Sequence, residues 1–169
     1  MSEEIIGLLK TGIQLEKKGL REYLKFAKIT KDRSGKNMFI TLAHDEVDHA
    51  EILEQQLDSY LRKGQGVEIT INDSVVEKVI SRISELVKKK GERGVDQISA
   101  LKIALELEDR AVNFYTEGLT KTENPALKNI FQKLVEMEEA HYKILKAELD
   151  AIEGNGFWFD VPEFNLENE

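Results

Sequence analysis

The chain of 169 residues has no cysteine, only two prolines and no long uncharged apolar run. The missing thiols exclude disulfides, thiolate metal sites, thiol nucleophiles and a rubredoxin-type iron centre within this chain. They do not fix a compartment. With so little proline, little forces the chain out of a helix. No stretch reaches the roughly 20 apolar residues that a membrane helix needs. The opening MSEEIIGLLK carries acid where a signal peptide carries base. Basic residues are also outnumbered, 24 against 32 acidic ones, and the net charge of −8 argues against general affinity for nucleic acid or an anionic membrane. The expectation is a cytoplasmic protein with neither partner. Its length gives one domain a real core and leaves little room for two.

What is present reads as helix. A first helix is expected from about Ser2, as N-cap, to about Thr30. The turn at Lys31–Gly35 follows, with Asp32 or Ser34 as the next cap. A second helix then runs to about Arg62 and ends at Gly64 and Gly66. Residues 67–71, VEITI, read as linker, and Ser74-x-x-Glu77 as a capping box opening a short helix to about Lys90. Gly91 and Gly94 break it. A third long helix is expected over 96–120. Asn124-Pro125 opens a fourth over 125–153, closed by Gly154 and Gly156. Residues 1–153 thus form an all-α four-helix bundle with a crossover at 63–95. The aromatic tail 154–169, beginning near GFWFDVPEF, is expected to pack back on the bundle.

Each long helix has one countable stripe at steps of three and four. The first has Leu9, Ile13, Glu16, Leu20, Tyr23 and Ala27; the second has Phe39, Leu42, Glu46, His49, Leu53 and Tyr60, skipping a turn at the polar Gln56. The third has Leu101, Leu105, Glu108, Val112, Tyr115 and Leu119; the fourth has Phe131, Leu134, Glu138, His141, Leu145 and Ile152. Every stripe places a Glu near its middle, and two add a His three residues later.

The halves also repeat, at a constant offset of 92 residues. Glu16 matches Glu108, Tyr23 Tyr115, Phe39 Phe131, Leu42 Leu134, Glu46 Glu138, His49 His141, Ile52 Ile144 and Leu53 Leu145. Ala50 and Tyr142 do not match. Glu is abundant, but the chain has only three His, so the joint match in order is specific. It describes two helix hairpins related by a pseudo-two-fold and joined by the long crossover that parallel second and third helices require.

A lone carboxylate in an apolar interior costs several kcal/mol or takes up a proton. Four converging on one core would also repel one another, and no Lys or Arg lies on the stripes. Two divalent cations would balance four glutamates beside two neutral imidazoles. The mixed oxygen and nitrogen set suits iron, manganese or zinc better than calcium or magnesium. Six ligands over two metals leave coordination positions open to a small molecule.

The pattern Glu16…Glu46-x-x-His49…Glu108…Glu138-x-x-His141 resembles the ferritin-like di-iron carboxylate proteins, whose ligand set is known in this form. Tyr23 and Tyr115, the DEVDHAEIL and EEAHYKIL segments and the GFWFD ending are most similar to rubrerythrin-type domains. The resemblance implies two iron ions, with manganese or zinc as alternatives. It makes Glu46 and Glu138 bridging ligands, Glu16 and Glu108 terminal ligands, and His49 and His141 ligands of one metal each. Tyr23 and Tyr115 would hydrogen-bond the ligand carboxylates. It also implies a homodimer, with helix exchange between protomers left open. Two departures stand out: Leu105 occupies a position where rubrerythrins proper carry a further Glu, and no cysteine-rich rubredoxin domain accompanies the bundle. Electrons must then come from a separate donor protein.

The expected activity is an oxidoreductase with a role against oxidative stress, reducing hydrogen peroxide at a carboxylate-bridged di-iron centre. The alternatives are a ferroxidase oxidising ferrous ion with dioxygen, and a metal-binding bundle without catalysis. Outside the six ligands, His44 lies off the stripe and reads as a surface residue. Glu106 competes with Glu108 but misses both stripe and offset. Asp45, Asp48 and Glu139 read as solvated groups or as outer partners of the site. Lys88–Lys90 read as a solvated helix end.

Overall fold

The structure is a computed structural model that describes residues 2–66, 95–154 and the short pairs 157–158 and 161–162. Four helices dominate these residues: α1 (Ser2–Ile29), α2 (Arg33–Lys63), α3 (Val95–Lys121) and α4 (Pro125–Glu153). Their ends follow local chemistry. The Asp32 carboxylate accepts from the Gly35 amide at 2.7 Å, and Asn124 Oδ1 accepts from the Leu127 amide at 3.1 Å, with Pro125 at the first helical position. α2 and α4 both stop at a left-handed glycine, Gly64 at φ 69° and Gly154 at φ 70°, a conformation that a side chain resists.

α1 packs along α2, and α3 along α4, as two hairpins. The hairpins meet through α1 against α3 and α2 against α4. Tyr23 reaches Glu108 while Tyr115 reaches Glu16, so residues rising along α1 meet residues falling along α3. Those two helices are antiparallel, and α2 and α4 pair likewise through His49 with Glu138 and Glu46 with His141.

Two apolar clusters fill the bundle on either side of a polar middle. One contains Phe26, Phe39, Leu42, Leu101 and Leu145. The other contains Leu9, Leu53, Phe131, Leu134 and Leu127. Each draws from both hairpins, so burying one end also ties the halves together. The pseudo-two-fold is visible in the rings: Tyr23 stacks on Phe39 with centroids 6.2 Å apart, and Tyr115 on Phe131 at 6.0 Å. Burying each phenylalanine contributes about 2–3 kcal/mol.

The stripes differ from expectation at their edges. Leu20, Leu105, Val112, Leu119 and Ile152 are only partly buried. Gln56 does not interrupt the α2 stripe, because it is fully buried there with Leu53 and Tyr60. The short helix expected at 74–90, and with it most of the crossover, lies outside the described residues, as does the side-chain packing of the tail. Phe157–Trp158 (β1) pairs antiparallel with Val161–Pro162 (β2), a small ladder the sequence reading did not anticipate. Among the described residues no helix is long and apolar enough to cross a membrane.

Candidate metal centre

The middle of each helix delivers its polar residues to one point. α1 brings Glu16, α2 Glu46 and His49, α3 Glu108, and α4 Glu138 and His141. The three-residue spacing sets each Glu and His side by side on one face of its helix. All six are at most 3% exposed.

Around His49 Nδ1 stand carboxylate oxygens of Glu138 at 2.9 Å, Glu46 at 3.3 Å and Glu16 at 3.5 Å. Around His141 Nδ1 stand those of Glu138 at 3.3 Å, Glu108 at 3.7 Å and Glu46 at 3.8 Å. The imidazole centroids lie 5.5 Å apart with planes 20° from parallel. Despite this crowding, neither Nδ1, neither Glu138 oxygen nor Glu46 Oε2 has a partner with hydrogen-bond geometry. Buried oxygens and imidazole nitrogens converge here without hydrogen-bond geometry between them, an arrangement that suits a cation and penalises a vacant polar core.

The six side chains divide into two groups whose ligand atoms all lie within 4.8 Å: Glu16, Glu46, His49 and Glu138, and Glu46, Glu108, Glu138 and His141. Glu46 and Glu138 belong to both. The residues thus fit two neighbouring metal positions that share two carboxylates. The two unshared carboxylates are also held across the hairpins. The Tyr23 hydroxyl donates to Glu108 Oε1, and the Tyr115 hydroxyl donates to Glu16 Oε1. Burial, with Glu108 beside Tyr23 and Glu16 beside Tyr115, pushes both phenol pKa values well up, so both hydroxyls remain donors.

Without cations the protein must balance the charge with protons. Burial and the neighbouring Glu138 push the carboxyls of Glu46 and Glu108 well above the ordinary range. Burial acts the same way on Glu138, but the imidazoles of His49 and His141 outweigh it and hold this carboxyl well below. Burial opposes charge on His49, yet Glu138, Glu16 and Glu46 raise its pKa well above normal. For His141 burial is likewise overcome by Asp45, Glu138 and Glu108, and its pKa rises to about 10. Metal binding would displace these protons.

Beside the carboxylates a cavity of about 10 Å³ opens on the α1/α3 side, lined by Leu15, Glu16, Gly19, Tyr23, Glu46, Leu107, Glu108, Ala111 and Glu138. That is about the room one water occupies. Neither histidine lines it. A Cβ on Gly19 would lie 3.4 Å from the Glu46 carboxyl carbon, so the glycine keeps this face of the site open.

The structure brings together all six expected ligands and both tyrosines. His44, Asp48, Glu106 and Glu139 face solvent. Asp45 does not: it is buried, and its Oδ2 lies 3.4 Å from His141 Nε2. Its position one turn before His49, on the same face of α2, was the available signal. Gly19 gave none, because a helical glycine reads as a weak position until its neighbours are known.

Fold and side chains together define a ferritin-like carboxylate bundle. The rubrerythrin family model matches residues 7–149, and the chain belongs to the rubrerythrin family. Among solved structures it is similar in fold to a hypothetical protein from Pyrococcus furiosus, with 22% identity, a TM-score of 0.65 and coverage of 89% of this chain and 90% of that one. No curated protein matches.

Proposed function

We propose that this protein is a di-iron oxidoreductase that reduces hydrogen peroxide with electrons from a separate donor protein. The observation that carries the reading is the pair of imidazole Nδ1 atoms, each ringed by three buried carboxylates with no hydrogen-bond partner. In this reading Glu16 and His49 would hold one iron and Glu108 and His141 the other, with Glu46 and Glu138 available to both. Bound ferrous iron would supply the two electrons that split the O–O bond, so that peroxide, two electrons and two protons give two waters.

The residues around the ions have separable tasks. The four carboxylates would neutralise the four positive charges of two divalent ions. Tyr23 and Tyr115 hold Glu108 and Glu16 in place from the opposite hairpin. The cavity beside Gly19 leaves room of about one water's size next to the carboxylates. We place the donor outside these 169 residues, which hold no cysteine to carry an iron–sulfur or rubredoxin centre.

The test is elemental analysis of anaerobically purified protein, then rapid mixing of its reduced form with peroxide or dioxygen. Two irons per chain and a much faster reaction with peroxide are expected. Repeated turnover of added ferrous ion with dioxygen would instead make it a ferroxidase. A protein that retains only zinc and reacts with neither oxidant would be a structural metal bundle.

A further inference from the structure

The repeat that makes the two metal positions alike breaks directly behind the histidines. His141 Nε2 faces the buried carboxylate of Asp45 at 3.4 Å. The residue 92 positions on from Asp45, which the pseudo-two-fold places behind His49, is Met137, buried at 2% exposure. Neither Nε2 has a partner with hydrogen-bond geometry, but among the described residues only that of His141 has a carboxylate oxygen within ion-pair distance. A carboxylate behind an imidazole favours the tautomer with its proton on Nε2, aims the Nδ1 lone pair at the site and raises its basicity. A thioether is a weak acceptor and does little of this.

Resting on the reading of this site as a two-metal centre, we infer that Asp45 is a positioning residue that makes the two metal positions unequal, the one at His141 filling first. Loss of such an outer carboxylate typically lowers metal affinity 10–100-fold. A gap of that order is therefore expected between the two positions of the natural protein, even though each has one imidazole, one unshared Glu and the same two shared Glu.

The test is anaerobic titration of the metal-free full chain with cobalt(II), followed by absorption and calorimetry. The natural protein should take up two equivalents in two steps, separated 10–100-fold. Asp45→Met, which copies the other half, should weaken the tight step by that factor and bring the two steps together. Asp45→Asn keeps an acceptor for Nε2–H without the charge and should restore part of the separation. Met137→Asp should tighten the weak step. A purely structural role for Asp45 would weaken both steps equally. That result, or an unchanged Asp45→Met titration, overturns the inference while leaving the two-metal reading intact. Failure of the natural protein to bind two equivalents overturns both.

Discussion

The two hairpins of this bundle carry the same polar residues at the same offset, yet they do not treat them alike. Glu138 Oε1 sits 2.9 Å from His49 Nδ1, whereas the equivalent approach of Glu46 to His141 is 3.8 Å. Burial raises the pKa of both carboxyls, but only for Glu138 do the two imidazoles overturn it. Phe26 packs on Phe39 with centroids 5.4 Å apart; the matching position on Phe131 is Gly118, with no ring at all. The identities of the six ligand residues survive the repeat, whereas their distances, their charge and the packing around them do not. Packing tolerates many solutions, whereas four carboxylates around two cations tolerate few.

The largest effect expected from breaking this comparison is at the shared carboxylates. Glu138→Ala should abolish metal uptake in either position while circular dichroism still reports a helical protein. Metal analysis giving two equivalents per chain would contradict its placement. In the metal-free state Glu138→Ala should also cost more than Glu46→Ala. Removing Glu138 strands two protonated imidazoles in the interior, a loss of about 3–5 kcal/mol. Removing a protonated Glu46 forfeits hydrogen bonding worth about 1–2 kcal/mol. Urea unfolding of the two metal-free variants compares them directly, and equal losses would show that the shared carboxylates are equivalent.

Next in size is the dependence on pH. In the metal-free protein Glu46, Glu108, His49 and His141 all have raised pKa values, so the folded state binds more protons than the unfolded one. Their stabilisation is complete below the unfolded pKa and is lost as pH rises through the folded value. For His141 that window runs from 6.5 to about 10. Glu138 acts in the opposite sense, but only below the ordinary carboxylate range. The unfolding midpoint of metal-free protein should therefore fall between pH 6.5 and 9, by roughly 5–10 °C if about 2–3 kcal/mol is lost. With metals replacing the protons, the slope should disappear. A metal-free midpoint that rises over this interval would mean that the buried groups are not protonated.

A smaller pair of changes tests where symmetry should hold. Tyr23→Phe and Tyr115→Phe each remove one hydroxyl from one carboxylate of the opposite hairpin. Each should cost about 1–3 kcal/mol, the range for leaving a buried polar group without its partner. Equal losses in chemical denaturation are expected. If one costs far more than the other, the cross-hairpin bonds are not equivalent.

How much of this was legible beforehand follows from the same distinction. The ligands could be read because a buried charge violates the pattern around it: Glu46 and His49 stand out between Leu42 and Leu53. Helix ends could be read because Asp32, Asn124, Pro125, Gly64 and Gly154 act locally, within a turn or two. Asp45 could not be resolved, because its partner lies on another helix, nearly a hundred residues away. Gln56 was misread as a gap in the stripe because polarity alone does not reveal burial when a partner is available. The pairing of Phe157 with Pro162 escaped because two-residue strands carry too little alternation to detect.

The smallest change gives the sharpest view of what the site needs. Gly19 and Ala111 occupy equivalent positions on the two helices that flank the cavity. A glycine inside a helix costs about 0.5–1 kcal/mol relative to alanine. The Cβ of Gly19→Ala would meet the Glu46 carboxyl carbon at 3.4 Å, an ordinary contact. This variant should therefore be slightly more stable and bind metal as before. By narrowing a space of about 10 Å³, it should also slow the reaction of the reduced protein with peroxide. Ala111→Gly should do the reverse on both counts. Stability and reactivity then move in opposite directions on each helix, as they must if small side chains are needed there for access. An unchanged rate in a more stable Gly19→Ala protein would show that the oxidant enters elsewhere.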